Sequence, residues 1–124
     1  KYILTCSFGK DSIATALLAL QHGEPLDELV YSEVMFSDTV SGELPEHKRF
    51  IYETAIPYFE KRGIPTRVLR GQKTYLDCFY RIVSRGNAEG KLASFPLTGR
   101  CSIQRDCKLP PIRTYQKTLP QDTV

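Results

Sequence analysis

The hexapeptide Ser7–Ser12, with the sequence SFGKDS, combines residue types that bind anions. Gly9 tolerates the backbone conformation of a tight turn, which other residues resist. Ser7 and Ser12 offer hydroxyl groups, and Lys10 offers a cation. A helix that begins here adds the unpaired backbone N–H groups of its first turn. We therefore predict that this segment binds a phosphate or pyrophosphate group.

Asp11 does not fit simple phosphate binding, and two roles are open for its carboxylate. It caps the following helix, or it holds a magnesium ion beside the phosphates. The segment has neither the GxxxxGK[ST] spacing nor the GxGxxG fingerprint, so it belongs to neither of those phosphate-binding motifs. Lys10 also has a plain interpretation, as a solvated lysine at the start of a helix.

The elements that must position this segment alternate between strands and helices. Short apolar or β-branched runs predict strands, and apolar residues at helical spacing predict helices. The predicted strands are Lys1–Cys6, Leu29–Phe36 and Thr66–Leu69, and the predicted helices are Asp11–His22, Pro45 to about Gly63, and Thr74–Ser84. This order predicts an α/β fold, a three-layer sandwich with a doubly wound, Rossmann-like parallel sheet.

Several of these elements carry predictions of their own. Apolar residues cover most of the circumference of Asp11–His22, which predicts a buried helix. Pro57 lies inside the second helix and predicts a kink or local irregularity. Pro110 and Pro111 would interrupt a helix within Ser102–Gln116, so the structure of this segment stays open. The aromatic residues Tyr75, Phe79 and Tyr80 recur at helical spacing and are expected in the core.

Polar segments follow the first two predicted strands, at the place where each strand ends. SFGKDS follows the first strand, and Ser37–Leu44, with the sequence SDTVSGEL, follows the second. Ligands of parallel α/β sheets collect at the carboxyl ends of the strands. We therefore expect these two segments to border one binding site.

Three segments together resemble the phosphoadenosine phosphosulfate (PAPS) reductase family, within the ATP pyrophosphatase-like, adenine nucleotide alpha hydrolase superfamily. SFGKDS resembles the SGGKDS pyrophosphate loop (PP-loop) of that superfamily. Phe36–Thr39 followed by Leu44–Glu46 resembles the DT…PE block, and Arg100–Ser102 followed by Lys108 and Pro110 resembles the late R-C-[TS]…K…P block. The three blocks occur in family order and span nearly the whole chain.

The resemblance implies a site for an adenine nucleotide, either ATP or a sulfonucleotide such as PAPS or adenylylsulfate. The residues that would hold the nucleotide phosphates are Ser7, Phe8, Gly9, Lys10, Asp11 and Ser12. Lys10 and Asp11 would be catalytic, because a lysine and a magnesium ion on Asp11 stabilise the charge that develops on the phosphoryl oxygens and the leaving group.

The other two blocks supply the rest of the implied site. Asp38 and Thr39 would line the neighbouring wall of the cleft, although Asp38 could equally cap a turn. Arg100 and Lys108 would bind the anionic end of the substrate.

The chain also departs from the family. Phe8 stands where the family usually has glycine, which limits how closely the backbone wraps a phosphate. The ECG[IL]H cysteine motif of the reductases is absent from these residues, so sulfonucleotide reduction predicts a redox cysteine beyond Val124. The cysteine pattern of the iron–sulfur reductases is absent too, and we expect no iron–sulfur cluster.

Composition places the chain among ordinary globular domains. Of its 124 residues 41% are hydrophobic and 25% charged, with a net charge of +3, which predicts one α/β domain over 1–124. The longest apolar stretch, Ile13–Leu20, is far shorter than the roughly 20 residues that span a bilayer. Four scattered cysteines suit a reducing cytoplasm. The start without Met and the end without a closing element suggest a piece of a longer chain, truncated at its C-terminus.

Three functions remain open from the sequence. The first is a PAPS reductase-like enzyme domain that acts on ATP or a sulfonucleotide, with a small-molecule nucleotide as its partner. The second is an ATP-dependent sulfurtransferase that modifies nucleic acid, as in tRNA thiolation or DNA phosphorothioation; Cys101, Cys107 and the basic residues around them would suit it. The third is a non-catalytic nucleotide-binding module with a degraded loop. The apolar content leaves room for a homo-oligomer.

Overall fold

A parallel β-sheet forms the centre of the fold. The computed structural model of the chain describes residues 1–94 and 101–124. Within them three strands pair in the order β1-β2-β3, with β1 at Ile3–Thr5, β2 at Glu28–Glu33 and β3 at Thr66–Arg70. Both pairings are parallel, and β2 lies between its two neighbours. The predicted α/β class with a parallel sheet is therefore confirmed for these strands.

Helical segments connect and follow the strands. They are α1 (Lys10–His22), α2 (Pro45–Phe50), a π-helical turn at Ile51–Ala55, α3 (Ile56–Glu60), α4 (Tyr75–Phe79), a second π-helical turn at Gln104–Lys108, and α5 (Leu109–Gln116). Helix α1 is capped at its C-terminus by Gly23, which adopts a left-handed conformation and donates its N–H to the carbonyl of Leu20. Glycine reaches this conformation without steric cost, which explains the stop at this residue.

The prolines act differently in the two long helical segments. The irregularity predicted at Pro57 is confirmed, because a π-helical turn precedes it and the Ile56 N–H bonds to the carbonyl of Ile51. The segment around Pro110 and Pro111, which the sequence left open, is helical, and both prolines lie at the start of α5. The first turn of a helix tolerates proline, since its N–H groups have no intrahelical acceptor.

Two predicted elements end earlier than expected. Strand β2 stops at Glu33 rather than at Phe36, because the chain turns back on itself and Gly42 donates to the carbonyl of Val34 at 2.8 Å. The helix predicted to reach Ser84 ends at Phe79. An antiparallel bridge between Ile82 and Leu92 follows α4.

Strand β2 carries the core, and all six of its residues are buried. Leu29 and Tyr31 belong to a cluster that includes Ala16 of α1 and Phe59 of α3. The alternate residues contact the C-terminal segment: Ser32 donates to the carbonyl of Lys108, and Glu28 accepts from Tyr115 of α5. Helical segments thus contact both faces of β2.

The predicted burial of β1 and α1 is only partly correct. Ile3 and Leu4 of β1 are half-buried, because this strand borders β2 on one side only among the described strands. In α1 only Ala16 is fully buried, whereas Leu17 and Leu18 are 38% and 51% exposed. The apolar residues of α1 therefore predicted more burial than this helix has.

A buried carboxylate ties the sheet to the C-terminal helix. Glu28 is bound by Lys1, by Arg67 of β3 at 2.7 Å and by the Tyr115 hydroxyl at 2.6 Å. Burial alone would raise the pKa of Glu28, but these hydrogen bonds outweigh it and hold the pKa below its ordinary value. The carboxylate therefore stays ionised and joins three elements.

In residues 1–94 and 101–124, no helix combines the length and the apolar character needed to cross a lipid bilayer.

Candidate functional site

The segment between β1 and α1 places its phenyl ring in the core. Phe8 is 2% exposed, and its ring meets that of Tyr31 edge-on at 5.4 Å between centroids. Its backbone φ is +57°, in the left-handed region that favours glycine. The ring therefore packs beneath the turn and does not project into it. Phe8 thus adopts a backbone conformation that glycine would reach without strain.

The start of α1 gathers hydroxyl and N–H groups. Gly9 precedes the helix and has no side chain with which to cap it. The first N–H with an acceptor inside the helix is that of Ile13, which bonds to the carbonyl of Gly9 at 3.0 Å. The hydroxyl oxygens of Ser7 and Ser12 lie 3.4 Å apart. Lys10 and Asp11 are exposed in the same turn.

A cavity of about 520 Å³ opens beside Ser7, at the carboxyl ends of β1 and β2. Its volume falls within the roughly 300–1,000 Å³ typical of small-molecule sites. Lys108 lines the same cavity, and the Ser32 hydroxyl holds its backbone by donating to its carbonyl at 3.0 Å. The structure thus brings Ser7 and Lys108, two of the predicted site residues, to one cavity.

The other predicted residues that the structure describes do not line this cavity. Residues 8–12 follow Ser7 in the turn and the first turn of α1, but they are not part of the cavity wall. Asp38 and Thr39 are exposed in a turn that Phe36 closes by donating to the carbonyl of Val40 at 2.8 Å, and they do not line this cavity. The side chain that accepts within this turn is Ser37, from the N–H of Val40. Arg100 lies outside the described residues.

Several residues that line the cavity escaped the sequence analysis. They are Tyr31, Ser32, Glu43, Tyr75 and Gln104. The polar Tyr31-Ser32-Glu33 run inside an apolar strand was a usable signal, because buried polar groups require partners. The need for glycine at position 42 shows only in the structure, where a Cβ atom would come within 2.6 Å of the Tyr75 ring. Tyr75, expected in the core, is half-buried and packs against a small core cluster as well as lining the cavity, whereas the expectation is wrong for Tyr80, which is 61% exposed.

A buried carboxylate network borders the site. Glu33, at the end of β2, accepts from Ser41 at 2.8 Å, from Tyr52 at 3.0 Å and from Arg70 at 2.8 Å. Burial alone would raise the pKa of Glu33, but the hydrogen bonds from Arg70, Ser41 and Tyr52 outweigh it and lower the pKa. Glu33 therefore fixes the loop after β2 to the sheet and to the second helical segment.

Glu43 gives the cavity an acidic wall. The Tyr31 hydroxyl donates to Glu43 Oε1 at 3.2 Å. Burial and the Glu43 carboxylate both raise the pKa of Tyr31, so this hydroxyl remains a neutral donor. The cavity therefore has an anionic side at Glu43 and a cationic residue at Lys108.

The cysteines divide into one exposed and three buried thiols. Cys101 is exposed and lines the cavity, whereas Cys6, Cys78 and Cys107 are buried. Cys78 Sγ and Cys107 Sγ lie 3.4 Å apart. Burial raises the pKa of Cys107 to about 12, which leaves almost no reactive thiolate at neutral pH.

We predict that Cys101 is the only one of the four cysteines that a thiol reagent modifies rapidly in the folded protein. Iodoacetamide should add one group in native buffer and four after unfolding, as read by mass spectrometry. Cys101→Ser should abolish the rapid native addition. Rapid native modification of Cys78 or Cys107 would contradict the burial described here.

The donor set for a metal ion is sparse. Within the described parts of the chain, no group of three or more His, Cys, Asp or Glu side chains converges on a point. Magnesium needs fewer protein ligands, because it usually keeps several waters and binds one or two carboxylates plus substrate phosphates. Asp11, exposed in the first turn of α1, provides one hard oxygen donor group of this kind.

A second cavity, of about 630 Å³, lies between the end of β3 and α5. Arg70, Lys73 and Asp106 are among the charged residues that line it. This second cavity lies beside β3, and neither Ser7 nor the first turn of α1 lines it. We therefore place the candidate site at the cavity beside Ser7.

Comparison of the chain with protein-family models, with curated proteins and with solved structures gave no significant match.

Proposed function

We propose that this chain is an adenine-nucleotide-binding enzyme domain of the PAPS reductase-like kind, acting on ATP or a sulfonucleotide at a PP-loop. One observation carries the proposal. The Ser7 hydroxyl, 3.4 Å from that of Ser12 at the uncapped start of α1, borders a nucleotide-sized cavity that Lys108 also lines. Hydroxyls, backbone N–H groups and a lysine at one strand end suit a polyphosphate with an organic group attached.

Each residue has a role in this proposal. The turn from Ser7 to Ser12 binds the phosphates, and Lys10 stabilises the charge that develops on the phosphoryl oxygens. Asp11 is the residue that would hold magnesium, which neutralises the leaving pyrophosphate when it is bound. Lys108 binds the anionic end of the substrate. Arg100 and the Asp38–Thr39 turn remain proposed contributors from the resemblance.

The proposal includes a finer fold. The helical segments on both faces of β2 support a doubly wound, three-layer arrangement like that of the adenine nucleotide alpha hydrolases. The left-handed Phe8 supports the likeness to the SGGKDS loop at the position where the sequences differ.

Thermal unfolding with a panel of nucleotides tests the proposal. The panel is ATP, AMP, adenylylsulfate and PAPS, each with and without magnesium. A ligand that binds only the folded protein stabilises it by RT ln(1 + [L]/Kd), which is about 2.7 kcal/mol at a hundredfold excess over Kd. We expect at least one polyphosphate or sulfonucleotide to raise Tm, and Lys10→Ala to reduce that rise.

A lysine at the far end of another helix provides the control. Lys61 is exposed at the end of α3, so Lys61→Ala should keep the wild-type rise in Tm. Equal rises in the wild type and in Lys10→Ala would place the ligand elsewhere. Magnesium-dependent release of pyrophosphate identifies ATP cleavage, and affinity without turnover identifies a binding module.

Cys101 favours one alternative function. Its exposed thiol lines the same cavity, where a sulfurtransferase would need a thiol beside an activated nucleotide. Such an enzyme would insert sulfur into tRNA or DNA. This alternative predicts that Cys101→Ser abolishes turnover while leaving the ATP-induced rise in Tm intact. A reductase that uses a cysteine beyond Val124 predicts no such dependence on Cys101.

A further inference from the structure

A ring of four contacts closes around the turn that precedes α1. His47 of α2 lies with Nε2 3.2 Å from the carbonyl oxygen of Phe8 and with Nδ1 2.9 Å from Glu43 Oε2. Glu43 accepts from the Tyr31 hydroxyl, and the Tyr31 ring packs against the Phe8 ring. Neither His47 nor Glu43 was singled out by the sequence patterns, and the proposed function gives neither of them a role.

Both partners of His47 are acceptors. A carboxylate oxygen and a carbonyl oxygen each need an N–H donor, and a neutral imidazole has one N–H only. Both contacts are hydrogen bonds at the same time only when both ring nitrogens carry hydrogen. The geometry therefore fits an imidazolium that bridges Glu43 and the backbone of the turn.

We infer that His47, paired with Glu43, is a positioning residue that fixes the Phe8–Gly9 peptide and thereby the affinity of the turn for polyphosphate. This inference rests on the proposed function for its consequence on binding. The contact it describes exists in the free protein.

The planar peptide explains how one contact orients the turn. In a trans peptide the C=O and N–H groups point in opposite directions. When His47 holds the Phe8 carbonyl on its own side, the Gly9 N–H faces the other way. If the peptide flipped, a carbonyl oxygen would replace that N–H and repel a phosphate. Phe8 needs such a restraint, because its left-handed conformation is unfavourable for a residue with a Cβ atom.

The charges around His47 give the clamp a pH dependence. The hydrogen bond to Glu43 raises the pKa of His47 above its ordinary value of 6.5, and the Phe8 carbonyl acts in the same direction. The neighbouring charged residues on its own helical segment are Glu46, Lys48 and Arg49, and Lys10 and Asp11 follow the Phe8–Gly9 peptide that it contacts. Lys48 lies 3.7 Å from Glu33.

The raised pKa of His47 determines the direction in which pH changes the clamp. The clamp is complete below pH 6.5 and is lost as the pH rises through the folded-state pKa. Polyphosphate affinity should fall over the same range.

Two isosteric variants separate the two contacts. The amide nitrogen of asparagine corresponds to Nδ1, so His47→Asn keeps the bond to Glu43 and loses the bond to the Phe8 carbonyl. The amide nitrogen of glutamine corresponds to Nε2, so His47→Gln keeps the bond to the Phe8 carbonyl.

We expect His47→Asn to bind Mg-ATP about tenfold more weakly than the wild type, the effect of one hydrogen bond. His47→Gln should stay within about threefold of the wild type and lose the pH dependence. The titration of ATP itself cancels when variant and wild type are compared at each pH.

A measurement without ligand tests the clamp on its own. In ¹⁵N-labelled free protein, the amide resonance of Gly9 should titrate with the same midpoint as the His47 ring, and His47→Asn should remove this titration. A Gly9 resonance that is independent of the His47 midpoint overturns the inference.

The outcomes separate the inference from the proposed function. If Lys10→Ala loses Mg-ATP binding while His47→Asn binds like the wild type, the inference is wrong and the proposed function stands. If the wild type itself shows no affinity for Mg-ATP, the role of the clamp in binding is overturned together with the proposed function. The Gly9 titration still decides whether the clamp exists.

Discussion

Phe8→Ala is expected to lower the free energy of unfolding by about 3–5 kcal/mol, the usual cost of removing a buried phenyl ring. The ring is 2% exposed and packs against Tyr31, so its loss leaves a cavity under the turn before α1. Because small domains have only about 5–15 kcal/mol of stability, Tm should fall by roughly 10 °C or more. Urea and thermal unfolding measure both quantities.

Phe8→Gly is the matched control for this substitution. Alanine normally stabilises a chain relative to glycine, but at a left-handed residue its Cβ atom costs about 1–2 kcal/mol. With φ at +57°, Phe8→Gly should be more stable than Phe8→Ala by about 1 kcal/mol. A glycine variant less stable than the alanine variant would show that the turn does not adopt the left-handed conformation.

Glu33→Ala is expected to cost about 1–3 kcal/mol, because it leaves two hydroxyl donors without their acceptor, whereas the Arg70 side chain is 55% exposed and is solvated after the change. The side chain is fully buried, and its removal leaves the Tyr52 and Ser41 hydroxyls and the Arg70 guanidinium without their acceptor. The network joins β2, β3 and the loop of the site. Chemical denaturation of the variant measures the loss.

The surface pair of Arg105 and Asp106 provides the contrast. Arg105 Nε lies 2.7 Å from Asp106, but its side chain is 59% exposed. Exposed ion pairs contribute about 0–1 kcal/mol, so Arg105→Ala should change stability by no more than that. Equal losses in Glu33→Ala and Arg105→Ala would contradict the buried role of Glu33.

Acid should weaken the fold through the same network. The pKa of Glu33 is lowered in the folded protein, so its contribution is present above the ordinary value of 4.5 and is lost as the pH falls through the folded-state pKa. Glu28 behaves alike. Stability of the wild type should therefore fall below pH 4.5, and Glu33→Gln should show a shallower fall measured from its own starting value.

The order of elements was readable from the chain because hydrophobic patterns and turn residues act locally. The parallel sheet, the end of α1 at Gly23 and the irregularity before Pro57 all follow from such signals. Proline at the start of α5 shows the limit of this approach. The same residue breaks a helix in its interior and is accepted in its first turn, and the chain pattern around Pro110 does not distinguish the two positions.

The candidate site was readable only in part. Ser7 and Lys108 were found because residue types in a recognisable order mark them. Glu43 and His47 were missed, because their roles depend on long-range packing that brings α2 against the turn before α1. Asp38 and Thr39 carried a local signal, yet the turn that holds them lies outside the cavity wall.

The central claim is that the turn from Gly9 to Ser12 binds the phosphates of an adenine nucleotide. Amide chemical shifts of the ¹⁵N-labelled 124-residue chain, recorded during titration with Mg-ATP, test it most directly. The claim predicts that the largest and saturable shifts occur at Gly9, Lys10, Asp11 and Ser12, with smaller ones at Lys108. Saturable shifts confined to the cavity beside Arg70 and Lys73, with the amides of the turn unmoved, would contradict it.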